Sequence, residues 1–563
     1  MYKQYNNNQT SFTLPVSLSI NNNHIVRTID AFINSIPKDL LYANESRLGQ
    51  PQYSPAMLLK MLLFAYSRQV FSGRKIQLMA EENLAMKWLI GDMDIVPSYR
   101  TINRFRSDPK TKQLIALMFV EFRQSLVDNR IIDDEALFID GTKIHADANK
   151  YSFVWRKSSE KYEASLDTKS RKLYQELIQD KVDIAINEET DPTSVAGLTA
   201  AAAALDQEIT TLNYEIDQEG TIPGGSERKK RRRYLKHLKH VVDKDFLPRK
   251  KKYLQQHETF GDRNSYSKTD PDATFMVMKE DAMLNREMKP GYNVQIATQH
   301  QFVLYYGLYQ RPTDQRTLIP FLKSMDFKQT PVRNIVAAAG YGSESNYEFI
   351  LNKLKLRPLI PYGMYRKEQS HKYQTDPSKF QNWWYTIAGD YYTDNHHIQF
   401  NYLRDATRTD KYGYQRYYKI YQAKDYGDPE RYYYSRTRKD NLRKISVNGK
   451  WEWQKEYIRE QLASPNGRAI FAKRKIEDEP VFGNLKANLR FRRLSVRGLI
   501  PASIEVGLAL MTGNMVKLAK VIANFLLSKP NKRKTRQFIR KNHRMNRLVV
   551  ISAGLKSQPL DIK

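Results

Sequence analysis

Cysteine is absent from this sequence of 563 residues. A chain without thiols forms no disulfide framework, no cysteine-ligated zinc site and no thiol nucleophile, and such an absence is typical of cytosolic proteins. Hydrophobic residues make up 41% of the sequence, which excludes a wholly disordered or collagen-like chain. At roughly 150 residues per domain, the length predicts about three or four structural units.

Long apolar runs are also lacking. No stretch reaches the ~18 uninterrupted apolar residues that a membrane-spanning helix needs, and the longest candidate, Gly498 to Met511, contains Pro501 and Glu505. The N-terminal residues Met1 to Asn8 do not resemble a secretory signal peptide. We therefore expect a cytoplasmic protein that makes no membrane contact.

Acidic residues are few relative to basic ones. The sequence holds 92 Lys and Arg but 61 Asp and Glu, so the formal net charge is 92 − 61 = +31. A folded chain with this charge predicts a polyanionic partner. Two basic stretches stand out: Arg228 to Arg233, which includes Arg231 and Arg232, and Lys529 to Arg547, which includes Lys532 and Arg533. The first is either a solvated helix face or a DNA contact, and the second predicts a basic DNA-binding tail over residues 528–563.

The first 130 residues favour an all-α DNA-binding domain. Ser54-Pro55 and Pro97-Ser98 are helix-start signals, and apolar residues follow the first of them at helical spacing. The second signal precedes a short helix that resembles the recognition helix of a major-groove reader. The arginines of this helix that we assign to DNA binding are Arg100, Arg104 and Arg106. The alternative is a charged surface helix without a DNA partner.

The remainder of the chain predicts an α/β core with two insertions. Asp134 to Lys143 has the pattern of a buried strand that ends in a turn at Asp140-Gly141, and strands then alternate with helices up to Gly342. The boundaries that follow from these patterns are 131–155, 260–357 and 470–527 for the core, 156–259 for a helical hairpin insertion and 358–469 for a β-rich, Tyr-rich insertion.

Two acidic residues are candidates for phosphodiester chemistry. Cleavage by paired Mg²⁺ ions requires Asp and Glu side chains that converge from distant parts of a chain. Asp140 is placed for this role because ligands gather at the carboxyl ends of strands, although an ordinary Asp-Gly turn is the alternative. Glu479 is the second candidate, and Lys486 would share its helix face two turns later. The basic residues that follow suit a DNA strand, or else form an ordinary charged surface: Lys486, Arg490, Arg492 and Arg493.

These motifs resemble the DDE transposases of bacterial insertion sequences, in the branch with a Y-R-E-K signature (the eleven-eighty-two-like group). The segments that carry the resemblance are Pro97 to Arg106, Phe138 to Lys143, Ser267 to Ala273, Gly291 to Gln295, Gly340 to Ser343 and Glu479 to Gly483. The resemblance implies an RNase H-like catalytic core in which Asp140 is the first catalytic Asp and Glu479 the catalytic Glu. Arg474 and Lys486 match the DNA-holding Arg and Lys of the signature, whereas Phe471 stands where the family usually has Tyr.

The main departure from the family pattern lies at Ala338. Relatives have Ala-Asp-Ala-Gly-Tyr-Gly where this chain has Ala337-Ala338-Ala339-Gly340-Tyr341-Gly342. The missing residue is the second catalytic Asp, which in the family binds both Mg²⁺ ions, or Mn²⁺ in their place. Glu344 and Asp326 are the nearest acids that offer a substitute. We hypothesise that this chain is a catalytically inactive form.

The resemblance also implies a function and partners. We expect a cut-and-paste transposase of the bacterial cytosol and nucleoid that binds terminal inverted repeats of double-stranded DNA as a homodimer, cleaves them and joins them to target DNA. Two alternatives remain open, a non-catalytic DNA-binding regulator and an RNase H-like nuclease of another specificity. The segment from Trp383 to Tyr434 is either a tyrosine-rich sheet or a surface that stacks on unpaired bases.

Overall fold

The computed structural model describes residues 20–21, 23–43, 52–91, 96–180, 182, 191–219, 226–278 and 286–527. The chain divides into two compact units, Met1–Ile144 with Asn293–Lys563, and His145–Tyr292. The predicted basic tail, with Lys532 and Arg533, lies outside the described residues.

Helices fill the N-terminal part of the first unit, as the sequence predicts. Ser54 accepts the backbone N–H of Met57, and Ser98 accepts that of Thr101, which confirms both predicted helix starts. The helices are α1 (Ile25–Ser35), α2 (Lys38–Leu41), α3 (Pro55–Ser67), α4 (Gly73–Glu82), α5 (Leu84–Ile90), α6 (Tyr99–Ser107) and α7 (Pro109–Asp128). Strand β1 (Ala136–His145) follows them.

The second unit is mainly helical and packs around a core rich in leucine and alanine. Its elements are β2 (Phe153–Trp155), α8 (Arg156–Gln179), α9 (Val195–Glu219), α10 (Glu227–Val241), α11 (Leu247–Phe260), β3 (Ser265–Ser267) and β4 (Thr274–Val277). A π-turn at Val242–Phe246 joins α10 and α11 into one continuous limb. The insertion therefore has three limbs, not the two of the predicted hairpin. Asp191-Pro192 lies between α8 and α9, and a residue before proline is disfavoured in a helix.

A mixed sheet forms the centre of the first unit. The next elements along the chain are β5 (Met288–Gln299), β6 (Phe302–Tyr309), α12 (Leu318–Lys323), β7 (Asn334–Ala337), α13 (Glu344–Glu348) and β8 (Arg357–Leu359). Neighbouring strands follow the order β6-β5-β1-β7-β8, with β5 and β6 antiparallel and with β7 parallel to both β1 and β8. This combination of helices and a sheet confirms the predicted α/β class, and the RNase H-like identity of the core stays a prediction.

The tyrosine-rich segment forms a sheet of its own. Its elements are α14 (Tyr365–Glu368), α15 (His371–Gln374), β9 (Trp384–Thr386), β10 (Tyr391–Thr393), β11 (Gln399–Thr409), β12 (Gln415–Ala423), α16 (Pro429–Ser435) and β13 (Lys444–Val447). The five strands are antiparallel in the order β13-β12-β11-β10-β9, which confirms the β-rich prediction. Trp383, Phe400 and Tyr421 are buried in its core, whereas Trp384 and Tyr417 are exposed.

Four helices complete the described chain: α17 (Gly449–Ala463), α18 (Pro465–Glu477), α19 (Glu479–Gly483) and α20 (Leu499–Leu527). Helix α20 packs against α1, α3, α7 and β6, so the N-terminal helices share one compact unit with the sheet. Within the described residues, one segment, Leu499–Asn524, is long and apolar enough to cross a membrane. It extends the apolar candidate that the sequence places at Gly498 to Met511, which Pro501 and Glu505 interrupt. Since 72% of its most apolar window is buried inside the protein, it has the character of a core helix.

Arg106 corrects the predicted DNA-binding surface of α6. Its side chain is 3% exposed and its guanidinium donates to the Phe71 carbonyl oxygen (2.6 Å) and to Asn103 Oδ1 (2.6 Å). The same group lies 3.5 Å from the buried carboxylate of Glu505 in α20. Arg106 therefore faces the interior, because α6 buries one side against α20, whereas Arg100 and Arg104 are exposed on α6.

Replacement of Arg106 by Ala should destabilise the first unit. The change leaves the Glu505 carboxylate buried without its cation, which costs about 3–5 kcal/mol for a buried pair. Urea denaturation followed by circular dichroism measures the loss. Arg104→Ala, an exposed change on the same helix, is the matched control and should stay within about 0.5 kcal/mol of the parent. Equal stability of the two variants would contradict the internal role of Arg106.

Candidate active site

Asp140 and position 338 lie at neighbouring places on adjacent parallel strands. The register of β1 and β7 pairs Ile139 with Ala337, so Asp140 on β1 and Ala338 just after β7 are the residues that follow this pair. Strand β7 ends there, and Ala338 begins the 3-10 turn Ala339–Tyr341. The geometry brings together the first and second positions of the predicted acidic set.

The predicted turn at Asp140-Gly141 is wrong, because β1 continues to His145. Gly141 serves close packing and not a turn. A Cβ atom at Gly141 would lie 2.9 Å from Asp314 Oδ1 and 2.9 Å from the Tyr341 hydroxyl, so no larger residue fits without displacement. The sequence pattern could not separate these two uses of glycine, since both place Gly after a buried run.

A polar network lies against Gly141, the residue after Asp140. Tyr341 is buried and its hydroxyl donates to Gln295 Oε1. Asp314 Oδ1 accepts from Asn293 Nδ2 (2.8 Å) and from Gln295 Nε2 (3.1 Å). Burial raises the pKa of Tyr341 well above its ordinary value, and the negative charges of Asp314, Asp140 and Asp478 add to this rise. The tyrosine therefore stays a neutral proton donor among three carboxyl groups, of which only Asp140 was predicted to belong here.

Asp478, and not Glu479, is the acid of its segment that faces this network. Asp478 is 0% exposed, whereas Glu479 is exposed. Thr298 Oγ1 donates to Asp478 Oδ1 (2.7 Å), while Oδ2 of Asp478 has no hydrogen-bond partner within the described part of the chain. Burial raises the pKa of Asp478 to about 8, the negative charge of Asp140 contributes to the rise, and Arg474 opposes it.

Contacts at the end of α18 fix this orientation. Glu477 accepts the backbone N–H of Gln301 (2.7 Å), and the Gln301 side chain donates to the Ile476 carbonyl oxygen (2.9 Å). These bonds hold the last turn of α18 against the connection between β5 and β6. Since successive helical residues point about 100° apart, only one of Asp478 and Glu479 can face the sheet. A helical pattern predicts the face only where the helix is continuous, and here α18 ends and α19 begins.

The predicted alignment of Lys486 with Glu479 on one helix face stays a prediction. The residues Asn484–Asn488 form a π-turn directly after α19, in which backbone bonds span one residue more than in an α-helix. The spacing of Glu479 and Lys486 therefore crosses from regular helix into this wider turn. Arg490, Arg492 and Arg493 are exposed beyond this turn, and their predicted contact with DNA stays a prediction.

A cavity of about 590 Å³ opens beside Ala338. Its described lining includes three cationic side chains and no acid, and these cations are Arg366, Arg474 and Lys475. Arg474 was predicted to hold DNA from its place in the signature. Arg366, on α14, was not predicted to bind DNA. It lies more than a hundred residues before Arg474 along the chain and belongs to no recognisable motif.

The other basic residues assigned to DNA have different surroundings. In the second unit, Arg231 Nη2 lies 2.9 Å from Glu208 Oε1 and Arg232 Nη1 donates to Asn213 Oδ1 (2.9 Å). These partners favour the alternative of a helix face that pairs within its own unit. The exposed side chains of Arg100 and Arg104 remain candidates for DNA binding.

Neither substitute acid occupies the place of the missing Asp. Glu344 is buried against the Tyr-rich segment, where it accepts from Asn448 Nδ2 (2.9 Å) and lies 3.4 Å from Arg416 Nε. Asp326 is exposed and accepts the backbone N–H groups of Lys328 and Gln329 in a turn. Both acids are committed to other contacts.

The residues present fit one hard divalent cation in part. Among the described residues, no group of three or more His, Asp or Glu is arranged to hold a metal ion. Mg²⁺ is nevertheless commonly bound by one or two carboxylates, with water and substrate phosphates completing its coordination. The interacting carboxyls of Asp140 and Asp478, with the orphaned Oδ2 of the latter, suit this kind of site.

Two stretches of the chain match known protein families. Residues 16–108 match the family described as Transposase domain (DUF772), and residues 395–519 match the family described as Transposase DDE domain. The first match contains helices α1 to α6, and the second contains both Asp478 and Glu479. No curated protein and no solved structure matches the chain significantly.

The stability of the first unit should depend on pH through Asp478. Its folded-state pKa of about 8 lies above the ordinary value of 3.8, so the wild type loses stability as the pH rises from about 4 to about 8. Asp478→Asn removes this loss, and its melting temperature should exceed that of the wild type most at pH 8 and least near pH 4. Thermal unfolding in EDTA across this pH range provides the measurement. Asp326→Asn, at an exposed acid, is the control, and a pH-independent difference for Asp478→Asn would contradict the prediction.

Proposed function

We propose, from two domain matches that indicate a transposase, that this chain binds the terminal inverted repeats of an insertion sequence as double-stranded DNA. In the active family form such an enzyme cleaves the ends and transfers them to target DNA. The observation that carries the proposal is the strand pairing that sets Asp140 beside position 338, at a cavity lined by cations. The mixed sheet supports an RNase H-like core as its scaffold.

The cations of the cavity suit a DNA strand. Phosphate groups are held by Arg and Lys, and Arg474 also acts on the charge of Asp478. A phosphate bound between Arg366, Arg474 and Lys475 would lie next to position 338. The net charge of +31 draws DNA to the protein over longer distances.

Mg²⁺, or Mn²⁺ in its place, is the proposed cofactor. Asp140 would hold it together with the acidic segment at the end of α18, and the ion when bound would polarise a phosphodiester and favour ionisation of a water nucleophile. Hydrogen bonds within the chain would position the residues of this site. Thr298 donates to Asp478, and the Tyr341 hydroxyl donates to Gln295.

Ala338 makes this chain an inactive form under the same proposal. A methyl group offers no ligand, and the acids considered as substitutes are committed elsewhere. A non-catalytic DNA-binding regulator is the second candidate, favoured by this one residue, and it requires the same DNA contacts. A homodimer on DNA in the bacterial cytosol remains part of the proposal because two ends need two sites.

Restoration of the missing acid tests the enzyme proposal. Ala338→Asp should gain Mg²⁺- or Mn²⁺-dependent nicking of DNA that carries the flanking repeats of the source element, since the new carboxylate would stand beside Asp140. Denaturing gels of end-labelled DNA measure the cut. Ala338→Asn, of the same size without a charge, is the matched control and should stay inactive. Equal nicking by the parent, Ala338→Asp and Ala338→Asn would refute the assignment.

Binding of the repeats should depend on the cavity cations. Arg366→Gln should weaken binding and reduce the slope of log affinity against log salt by about 1, the value for one phosphate contact. Gel shifts at several salt concentrations give this slope. Lys372→Gln, on the neighbouring helix α15 and outside the cavity lining, is the control. An unchanged slope for Arg366→Gln would show that bound DNA does not contact the cavity.

A further inference from the structure

The end of α18 presents two consecutive acids, and the fold gives them opposite surroundings. Asp478 is 0% exposed, and Glu479, the residue in the family's Glu position, is exposed at the first residue of α19. Because neighbouring helical side chains diverge by about 100°, a rotation that brought Glu479 inward would carry Asp478 outward. The segment can therefore direct only one of these carboxyls at the sheet.

The surrounding contacts hold Asp478 in the inward position. Thr298 Oγ1, on β5, donates to Asp478 Oδ1 (2.7 Å). Glu477, just before it, accepts the backbone N–H of Gln301 (2.7 Å), and Pro480 restricts the chain just after it. An outward rotation of Asp478 would break the bond to Thr298 and would place Glu479 in a space that the smaller Asp occupies.

One oxygen of Asp478 lacks a donor. Buried polar atoms in folded proteins are nearly always hydrogen-bonded, and a buried carboxylate is normally paired or coordinates a metal. Within the described residues, Oδ2 of Asp478 has no hydrogen-bond partner. Thr298, which donates to Oδ1 of Asp478, lies on β5, and β5 is the neighbour of β1, the strand that carries Asp140. The orphaned oxygen is thus available to an ion bound next to these neighbouring strands.

We infer that Asp478 is the carboxylate that holds a divalent cation together with Asp140, in the role that the sequence motif assigns to Glu479. This inference rests on the proposed function, because the cation belongs to the phosphodiester chemistry proposed above. Thr298 is then a positioning residue, which orients Asp478 through Oδ1 and leaves Oδ2 for the ion. Glu479 remains at the surface.

Binding of Mn²⁺ alone to the full chain tests this assignment without any cleavage. Electron paramagnetic resonance of free Mn²⁺ gives the affinity, and the rise of melting temperature with Mn²⁺ gives an independent readout. Asp478→Asn keeps the size of the side chain and the acceptor for Thr298, so that it should fold. It should weaken Mn²⁺ binding by about a hundredfold or more and abolish the thermal shift, as should Asp140→Asn. Glu479→Gln should change the affinity by less than about twofold.

Thr298→Val supplies a second test that does not alter a ligand. Loss of an outer hydrogen bond to a metal ligand typically lowers metal affinity by about 10–100-fold, so this variant should lie between the wild type and Asp478→Asn. Thr330→Val, at another buried threonine of the first unit, is the matched control and should keep the wild-type affinity.

The outcomes separate this inference from the proposed function. Mn²⁺ affinity that is lost in Glu479→Gln and kept in Asp478→Asn would overturn the inference and return the role to Glu479, while the transposase proposal would stand. Absence of Mn²⁺ binding by the wild type would also overturn it. Binding of the flanking repeats in a gel shift is measured separately, and a failure there would count against the proposed function even if Asp478 binds Mn²⁺.

Discussion

The parallel register of β1 and β7 is the constraint on which the candidate site depends. Pairing of Ile139 with Ala337 places Asp140 beside position 338, and a slip of one residue would turn Asp140 to the opposite face of the sheet. Burial of the strand residues enforces the register, because Ile139 and Ala337 are both fully enclosed. The end of β7 at Ala337 then lets the following turn bring Tyr341 over the backbone at Gly141. This one pairing therefore determines where Asp140 lies and which residues are close to it.

The site combines a local excess of negative charge with a strongly positive chain. The net charge of +31 attracts DNA from a distance, but a catalytic centre for phosphodiesters also needs a place where a cation is favoured over a phosphate. Asn293 and Gln295 supply donors to Asp314, so that its charge is tolerated by the protein alone. Asp478 has one such donor, from Thr298, and its second oxygen is left unsatisfied. Asp314 is therefore stabilised by hydrogen-bond donors of the protein, whereas Asp478 keeps one oxygen that is available to an ion.

Sequence patterns predicted the strands that carry the candidate site, because each strand is a single continuous element. Buried runs mark β1 before Asp140 and β7 before Ala338. The assignment of position 338 to the same site as Asp140 came from the family resemblance, and the parallel register sets the two positions side by side. The choice between residues 478 and 479 could not be made in this way, because it depends on where α18 ends and how its last turn contacts Gln301. Arg106 was misplaced for a related reason, since the partner that buries it lies about four hundred residues away in α20. Helical spacing shows which residues share a face but not what covers that face.

Under the proposed function, the alanine at position 338 affects DNA cleavage and DNA binding unequally. The cationic side chains of the cavity lie on α14 and α18, and none of them lies on β7. A small apolar residue there also leaves the pairing of Ile139 with Ala337 intact. An aspartate would instead add a fourth carboxyl to the region of Asp140, Asp314 and Asp478, and repulsion among carboxylates in a poorly hydrated place is costly until a cation arrives. Under the proposed function, Ala338 therefore removes a metal ligand and a source of carboxylate repulsion together, while the cationic side chains proposed to bind DNA are retained.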